Sequence, residues 1–546
     1  MIDRVDEQLV FKRLNRICCD LHYAFITVVW QGGVQLSGFF KTNKMYRKAP
    51  LPRVHPSSYI GPVLAAAFLM MWPALYNRYP LLYPDSMAYL ENGPLVARAL
   101  FLQIFADDYG QRSLIYCLGI LPLHLNVTAW PIVALNALLT AYVIWLTMHS
   151  VLPKKTAIRY LAVVLLLSIF TGLSWSVSWI MPDILGPALY LSIYILVFAP
   201  QRLSRTERVI VVLIAWWSMA SHITHLLLAA GICVFLVLFL LLRHPRAPRQ
   251  WRSVFEVAMI ITSVAAVHIS LHWYLYGKPS LRGKGPPFLL ARVIADGPGR
   301  WYLEQRCAGA QFEVCTHVHD LSDDVDDFLW GDHGIWLSSS EEQRERLQDE
   351  EMAIVAGTLR EYPRQELMIS ADHFWEQLHT FGLSDYDPNP WVLEVADTVM
   401  PVTRSRYIQT RQAQETLHEK IFAFVQDWTV VASLVVIGIR LICGRHRSRR
   451  AVGLTAIIAI VVIGNAAVTG VLSKVDDRYQ ARVIWLVPLL ASVLELEWRD
   501  HSAIRRALAD RLEAKGKVAN RHIPLLKKAA ARSSAGRELA RVFTSS

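Results

Sequence analysis

The chain has 546 residues, of which 53% are hydrophobic and 18% are charged, and its mean hydropathy is +0.30. Soluble globular domains carry about 25% charged residues. Apolar stretches of about 20 residues, the length needed to cross a bilayer, recur along the chain and argue against a soluble protein. The net charge of +11 comes with no nucleic-acid-binding signature, so no nucleic acid is expected as a partner.

Residues 1–56 form the predicted cytoplasmic N-terminal segment. Residues 22–40 are weakly apolar, contain two glutamines and have basic residues on both sides. An extra span is one interpretation of this stretch; an interfacial segment, or a region upstream of the true start of the protein, explains it better. Met45, which opens a basic flank before the next apolar run, is the alternative initiator.

The apolar pattern predicts an all-α polytopic membrane protein with about ten transmembrane helices. Spans 1–7 and the first outer loop occupy residues 57–275, and spans 8–10 occupy residues 420–498. The ten predicted spans are 57–77, 126–149, 157–174, 183–200, 208–221, 222–242, 253–275, 420–442, 451–472 and 482–498.

The short loops on one side of these spans are basic. Lysine and arginine are concentrated in residues 153–159, 201–208, 243–252 and 445–450, and again in the tail 499–546. Positively charged loops stay in the cytoplasm, so both termini are predicted to be cytoplasmic. The basic tail is expected either to contact anionic membrane lipids or to be a solvated extension.

The two long loops lie on the opposite side and are acidic. The first outer loop covers residues 78–125, and the second, residues 276–419 between spans 7 and 8, is the size of a domain. This outer domain is predicted to be α-rich or mixed. Cys307 and Cys315 would face an oxidising compartment there, where a disulfide between them is expected.

Polar side chains gather at five separate turns on this outer side. Ionisable groups at membrane depth are energetically costly and are usually functional or paired. Their common location predicts a cleft that opens outward at the membrane surface. The candidate site residues are Asp85, Tyr89, Arg112, Asp183, His222, His225, Arg478, Tyr479 and Arg482.

Carboxylates and arginines at this depth suit the chemistry of lipid-linked phosphates. A carboxylate can act as a general base or hold a divalent cation. Arginines at a helix mouth donate paired hydrogen bonds to phosphate oxygens. Asp107 and Asp108 are weaker candidates for a divalent-cation site, since a solvated turn explains them as well.

Each candidate also has a structural interpretation. Asp85 and Asp183 follow prolines at predicted helix starts, where either could be a helix cap. His222 and His225 share one helical face and could bind a metal, although hydrogen-bonded interface histidines explain them more simply. Arg482 could extend its charge to the membrane interface from an apolar span.

In its layout the chain resembles the GT-C glycosyltransferases, polytopic enzymes that use polyprenyl-phosphate-linked sugars. The resemblance covers most of residues 57–498. It rests on an acid after the first span in "PDSMAY", amphipathic stretches in the first outer loop, about ten spans and a late outer domain. "DDRYQARVIWLVP" is similar to the arginine–tyrosine mouths of late spans in that superfamily.

The resemblance implies that Asp85 is the catalytic base and that Arg478, Tyr479 and Arg482 bind the lipid phosphate. Tyr89, Arg112, Asp183, His222 and His225 would then bind the sugar or its acceptor. The expected partners are a polyprenyl-phosphate-linked sugar and an acceptor glycan, lipid or protein. Asp85 is followed by Ser86 rather than by the second acid common in that superfamily, so the resemblance does not extend to a metal at this position. A divalent cation is the one candidate cofactor.

The stretches "PDS", "SHITH" and "ADGPGRWYL" resemble those of bacterial inner-membrane proteins, which implies an inner-membrane location. Three other functions remain open from the sequence. They are a transporter or flippase for a lipid-linked or polar solute, a non-catalytic partner in envelope polysaccharide assembly, and an acyltransferase that uses His222 or His225.

Overall fold

The computed structural model describes residues 59–106, 109–110, 112–153, 156–243, 248–443 and 448–504. Within this part of the chain the fold is helical, and the one β-type pairing is an isolated bridge between Leu81 and Trp179. Residues 1–58, which include the alternative start Met45, and residues 505–546 of the predicted tail lie outside the described residues.

The helices are numbered in chain order. The first eleven are α1 (Ile60–Met70), α2 (Trp72–Asn77), α3 (Pro84–Leu102), α4 (Leu114–His124), α5 (Trp130–Val151), α6 (Ala157–Phe170), α7 (Leu173–Val177), α8 (Leu185–Phe198), α9 (Arg205–Ala220), α10 (Ile223–Arg243) and α11 (Pro248–Tyr276). The next eight are α12 (Phe288–Ala295), α13 (Pro298–Arg306), α14 (Val325–Trp330), α15 (Ile335–Ser338), α16 (Glu341–Glu361), α17 (Pro363–His379), α18 (Pro390–Val399) and α19 (Arg404–Tyr407). The last four are α20 (Glu419–Cys443), α21 (Arg449–Leu472), α22 (Asp477–Ile484) and α23 (residues 486–504).

Five of the described helices are long and apolar enough to cross a membrane, so the fold is compatible with a membrane protein. They coincide with predicted spans 2, 6, 7, 8 and 9. The other predicted spans fall on shorter or interrupted helices; the first, for example, is divided at Met71 into α1 and α2. The candidate spans are Trp130–Val151, Ile223–Leu242, Gln250–Tyr276, Glu419–Cys443 and Arg449–Leu472.

Helix α8 lies at the centre of the main apolar core. Almost all of its residues are buried, as expected for a helix that is hydrophobic on every side. Helices α5, α9 and α21 pack around it. A short 3₁₀ turn, Pro182–Ile184, precedes α8 and carries the predicted site residue Asp183. The central helix therefore places this acid at one end of the bundle.

The segment predicted as an outer domain is helical throughout its described length. Helices α12 to α16 enclose a separate small core that contains Leu290, Phe328 and Trp336. Cys307 and Cys315 form a disulfide at the edge of this core. The described residues 276–419 are thus α-rich, the first of the two architectures expected for them.

The outer segment is joined to the bundle at the end of α21. Helix α17 packs along α21, and at Gly470 a side chain would collide with the backbone carbonyl of His373. Arg292 of α12 donates hydrogen bonds to the Gly470 and Ser473 carbonyl oxygens at 2.9 and 3.0 Å. Because the last carbonyls of a helix have no partner within the helix, this arginine both caps α21 and attaches the outer segment to it.

A buried glutamine braces the strand-like stretch that leads into α3. The Gln412 amide accepts a hydrogen bond from Leu82 N at 3.0 Å and donates to the Leu82 and Tyr386 carbonyl oxygens at 2.8 and 3.1 Å. Its own backbone N–H donates to Asn77 Oδ1 at 2.8 Å. The outer segment thereby determines where the chain enters α3.

We predict that Gln412→Ala lowers the free energy of unfolding by about 2 kcal/mol or more, because it leaves buried backbone groups without partners. The measurement is the thermal midpoint of the full-length protein in detergent. Gln414→Ala, at an exposed position two residues away, is the matched control and should leave the midpoint unchanged. Equal midpoints for the two variants would show that Gln412 does not brace the fold.

Candidate functional site

The candidate site begins at the first turn of α3. Pro84 occupies the first helical position, and the Ser86 hydroxyl accepts a hydrogen bond from Tyr83 N at 2.9 Å. Tyr83 is the N-cap residue, so Asp85 is not the cap that the sequence allowed as an alternative. Its negative charge still lies in the first turn, where the helix dipole favours it. The Asp85 side chain is free to make tertiary contacts.

Two arginines from distant parts of the sequence face the Asp85 carboxylate. Arg112, from the loop before α4, donates a hydrogen bond to Asp85 Oδ1. Arg478, at the start of α22, places Nη1 3.6 Å from Asp85 Oδ2. The side chain of Asp85 is only 9% exposed, so its charge is compensated mainly by these arginines.

Arg478 lies between two tyrosine rings and keeps unused donors. Its guanidinium carbon is 4.8 Å from the centre of the Tyr83 ring and 4.9 Å from that of Tyr479, which are cation–π distances. Nη2 donates to the Tyr479 hydroxyl at 3.2 Å. Among the described residues, the buried Nε and Nη1 atoms have no hydrogen-bond acceptor. These atoms could still donate hydrogen bonds to an anion that bound beside the Asp85 ion pair.

The Tyr479 ring separates this arginine from a second ion pair. The Arg482 guanidinium lies 5.5 Å from the same ring, with Nη1 3.3 Å from Asp183 Oδ1. Arg482 is 2% exposed and also donates to Asn465 Oδ1 at 3.0 Å and to Thr224 Oγ1 at 3.4 Å. Unlike Arg478, therefore, this arginine already has acceptors for its donors.

The two histidines occupy different surroundings. His222 Nδ1 lies 2.8 Å from Thr224 Oγ1, so it joins the Arg482 network through that hydroxyl. His225 instead places Nδ1 2.9 Å from the Ser218 carbonyl oxygen, and its ring contacts α8 at Gly186. Their ring centres are 5.4 Å apart. His222 thus belongs to the site, whereas His225 supports it from within the bundle.

Two acids hold the backbone of Arg478 in place. Its N–H lies 3.1 Å from Asp385 Oδ2 and 3.2 Å from Asp476 Oδ1. The two carboxyl groups therefore lie close together at one N–H group. Burial, and then the charge of Asp476, raises the pKa of Asp385 to about 8. Burial opposes ionisation of Asp476 as well, but Arg478 and Lys474 hold its pKa below the usual value.

Helix α14 of the outer segment covers the same site. The Arg112 guanidinium lies 5.9 Å from the centre of the Trp330 ring. Lys474 Nζ lies 2.5 Å from Asp326 Oδ2 and 2.9 Å from Asp476 Oδ2. One short helix of the outer segment is therefore connected both to the arginine on Asp85 and to the acid behind Arg478.

The structure brings most of the predicted site residues together. Tyr89 lies one turn after Asp85 in α3, where its buried ring packs edge-on against Tyr116 at a centroid distance of 4.9 Å. Asp107 and Asp108 lie outside the described residues. The described part of the chain contains no group of three or more metal-ligating side chains, so the candidate cation stays a prediction tied to those two acids. The residues that meet are Asp85, Arg112, Asp183, His222, Arg478, Tyr479 and Arg482.

Several contributors to the site were not selected from the sequence. Tyr83 could have been found, because an aromatic residue next to a candidate acid is a common neighbour for arginine. Asp385 and Trp330 had no such signal, since each is separated by tens of residues from the groups that it contacts. The structure adds Tyr83, Thr224, Trp330, Asp385, Asn465, Lys474 and Asp476.

Comparison of the chain with protein-family models, with curated proteins and with solved structures finds no match. The resemblance to the GT-C glycosyltransferases therefore stays a prediction.

The raised pKa of Asp385 predicts that the stability of the protein depends on pH. Because folding raises the pKa of Asp385, its contribution to stability is complete below the ordinary aspartate pKa, decreases as the pH rises and is lost above about 8. We expect the thermal midpoint of the full-length protein to fall as the pH rises from about 4 to about 8. Asp385→Asn, which cannot ionise, should flatten this part of the profile; an unchanged profile would contradict the assignment.

Proposed function

We propose that this chain is a membrane glycosyltransferase of the GT-C type. It takes a sugar from a polyprenyl-phosphate-linked donor and transfers it to a glycan, lipid or protein acceptor. The observation that supports this proposal most strongly is the pairing of a buried carboxylate, Asp85, with an arginine, Arg478, whose Nε and Nη1 atoms have no acceptor among the described residues. A base and an anion-binding group are the two parts that this transfer needs.

The charges of the site suit a phosphate ester. Asp183 pairs with Arg482, whereas the single charge of Asp85 is shared between Arg112 and Arg478. A lipid phosphate bound at Arg478 would supply further negative charge. It would also accept hydrogen bonds from the Nε and Nη1 atoms of this arginine. The Tyr83 and Tyr479 rings hold the guanidinium plane in position for this contact.

In the proposed reaction, Asp85 removes the proton from the acceptor hydroxyl. The acceptor oxygen then forms a bond to the anomeric carbon of the sugar, and the bond from that carbon to the phosphate oxygen breaks. The leaving lipid phosphate gains negative charge, which Arg478 stabilises. Arg112 positions the carboxylate, while the Asp183, Arg482 and His222 network supports the tyrosine between the two arginines.

The proposal includes a location and a topology. The protein would lie in a bacterial inner membrane with ten spans, with both termini in the cytoplasm and the segment 276–419 in the periplasm. Basic short loops on one side and acidic long loops on the other support this orientation. The short and interrupted helices would cross the bilayer within the bundle, where neighbouring helices cover their ends.

Asp85→Asn should reduce the transfer rate by about 10²- to 10⁴-fold, because the amide cannot accept a proton. The assay follows the release of polyprenyl phosphate from a panel of polyprenyl-phosphate sugars, with an envelope extract as the acceptor. Binding of the lipid phosphate should persist in this variant. Glu91→Gln, at an exposed acid of the same helix, is the control and should retain the wild-type rate. A wild-type rate in Asp85→Asn would exclude Asp85 as the base.

Arg478→Gln should weaken the binding of a short-chain polyprenyl phosphate by roughly tenfold to a hundredfold, because charge-assisted hydrogen bonds are lost. Binding is titrated with the purified full-length protein, and the thermal midpoint is recorded in parallel. Arg406→Gln, at an exposed arginine of the outer segment, should bind as the wild type does. If Arg478→Gln keeps its midpoint and its affinity, the phosphate is not bound at Arg478.

A further inference from the structure

A cleft lies beside the loop that precedes Asp385. It has a volume of about 320 Å³ and is bounded by the loop 382–384 and by the first turns of α20. Its polar lining includes Glu419, Lys420, Asp427 and Asp477. The proposed sugar transfer uses none of these side chains.

Two of the three acids in this cleft are already occupied. Asp477 Oδ1 accepts a hydrogen bond from Gly382 N, and its Oδ2 accepts one from the Ser384 hydroxyl, both at 2.6 Å. Glu419 is buried and lies beside the Asp387 carboxyl group. Both side chains therefore have structural roles at the wall of the cleft.

Asp427 differs from both. It is exposed to the cleft, and no basic side chain of the described residues forms an ion pair with it. It lies eight residues after Glu419 in a helix of membrane-spanning composition, about 12 Å further along the axis. A carboxylate at such a depth is costly unless it finds a cationic partner.

The cationic partner of Asp427 would be the headgroup of an amphiphilic ligand. The side chains that flank the cleft on α20 are apolar and outward-facing, with Ile421, Phe424 and Trp428 between 52% and 64% exposed. In a membrane these side chains face acyl chains. A ligand that reaches Asp427 from that side brings an apolar tail and a polar headgroup.

The headgroup chemistry follows from the donors and acceptors in the cleft. The described residues contain no group of acids that converges on one metal position, whereas a primary ammonium needs only one or two acceptors. Like Asp427, Lys420 has no ion pair within the described chain, so it can form one with the phosphate of the same headgroup. We infer that this cleft binds an aminophospholipid through its primary ammonium group, with Asp427 as the acceptor.

The test uses the delipidated full-length protein in detergent, with phosphatidylethanolamine as the probe and bound lipid counted by native mass spectrometry. Phosphatidylethanolamine should bind more tightly than phosphatidylcholine, whose quaternary ammonium has the same charge but no N–H donor. Asp427→Asn should weaken phosphatidylethanolamine binding by roughly tenfold to a hundredfold, and Asp427→Glu should restore most of it.

Asp349→Asn, at an exposed acid of α16, is the matched control and should bind the lipid as the wild type does. Equal binding of the two lipids, or an unchanged affinity in Asp427→Asn, would overturn the inference. If free ethanolamine displaced the bound phosphatidylethanolamine at an equal concentration, the cleft would recognise the ammonium group alone. That result would overturn the inference that the ligand is an amphiphile. Because no sugar donor is present, failure here would leave the proposed transferase activity untouched.

Discussion

The structure depends on neutralising charges that its helices place away from water. Asp85 and Asp183 lie at the ends of apolar helices, and each is paired with arginine from elsewhere in the chain. An isolated carboxylate in such a place would be strongly destabilising, so these contacts restrict how α3, α8 and α22 can pack. The same requirement gathers the reactive groups at one end of the bundle. Stability and the proposed chemistry share these ion pairs.

Arg478 and Arg482 illustrate how two similar side chains acquire different roles. They are four residues apart in one helix and contact the same tyrosine ring. Arg482 is enclosed by Asp183, Asn465 and Thr224, so it acts as a support. Arg478 has tyrosine faces around it and donors to spare, which suits it to an incoming anion. The difference comes from the neighbours that other helices provide.

The outer segment contributes to the site rather than only covering it. Gln412 sets the approach to α3, Asp385 holds the backbone of Arg478, and Trp330 lies beside Arg112. A ligand bound at Asp85 would therefore lie close to residues that contact three separate parts of the segment 276–419. Such contacts connect this segment with the geometry of the proposed base.

The sequence by itself determined the helical class and five helices that are long and apolar enough to cross a membrane, and it predicted an outer location for most site residues. Hydrophobic length and the placement of basic residues are local properties, so they can be read along the chain. Only the tertiary structure decided that Asp85 contacts Arg112 and Arg478, and that Asp385 meets Asp476 at the Arg478 N–H group. These outcomes depend on side chains up to almost 400 residues apart, and on which helices supply the partners of buried charges. No local pattern contains that information.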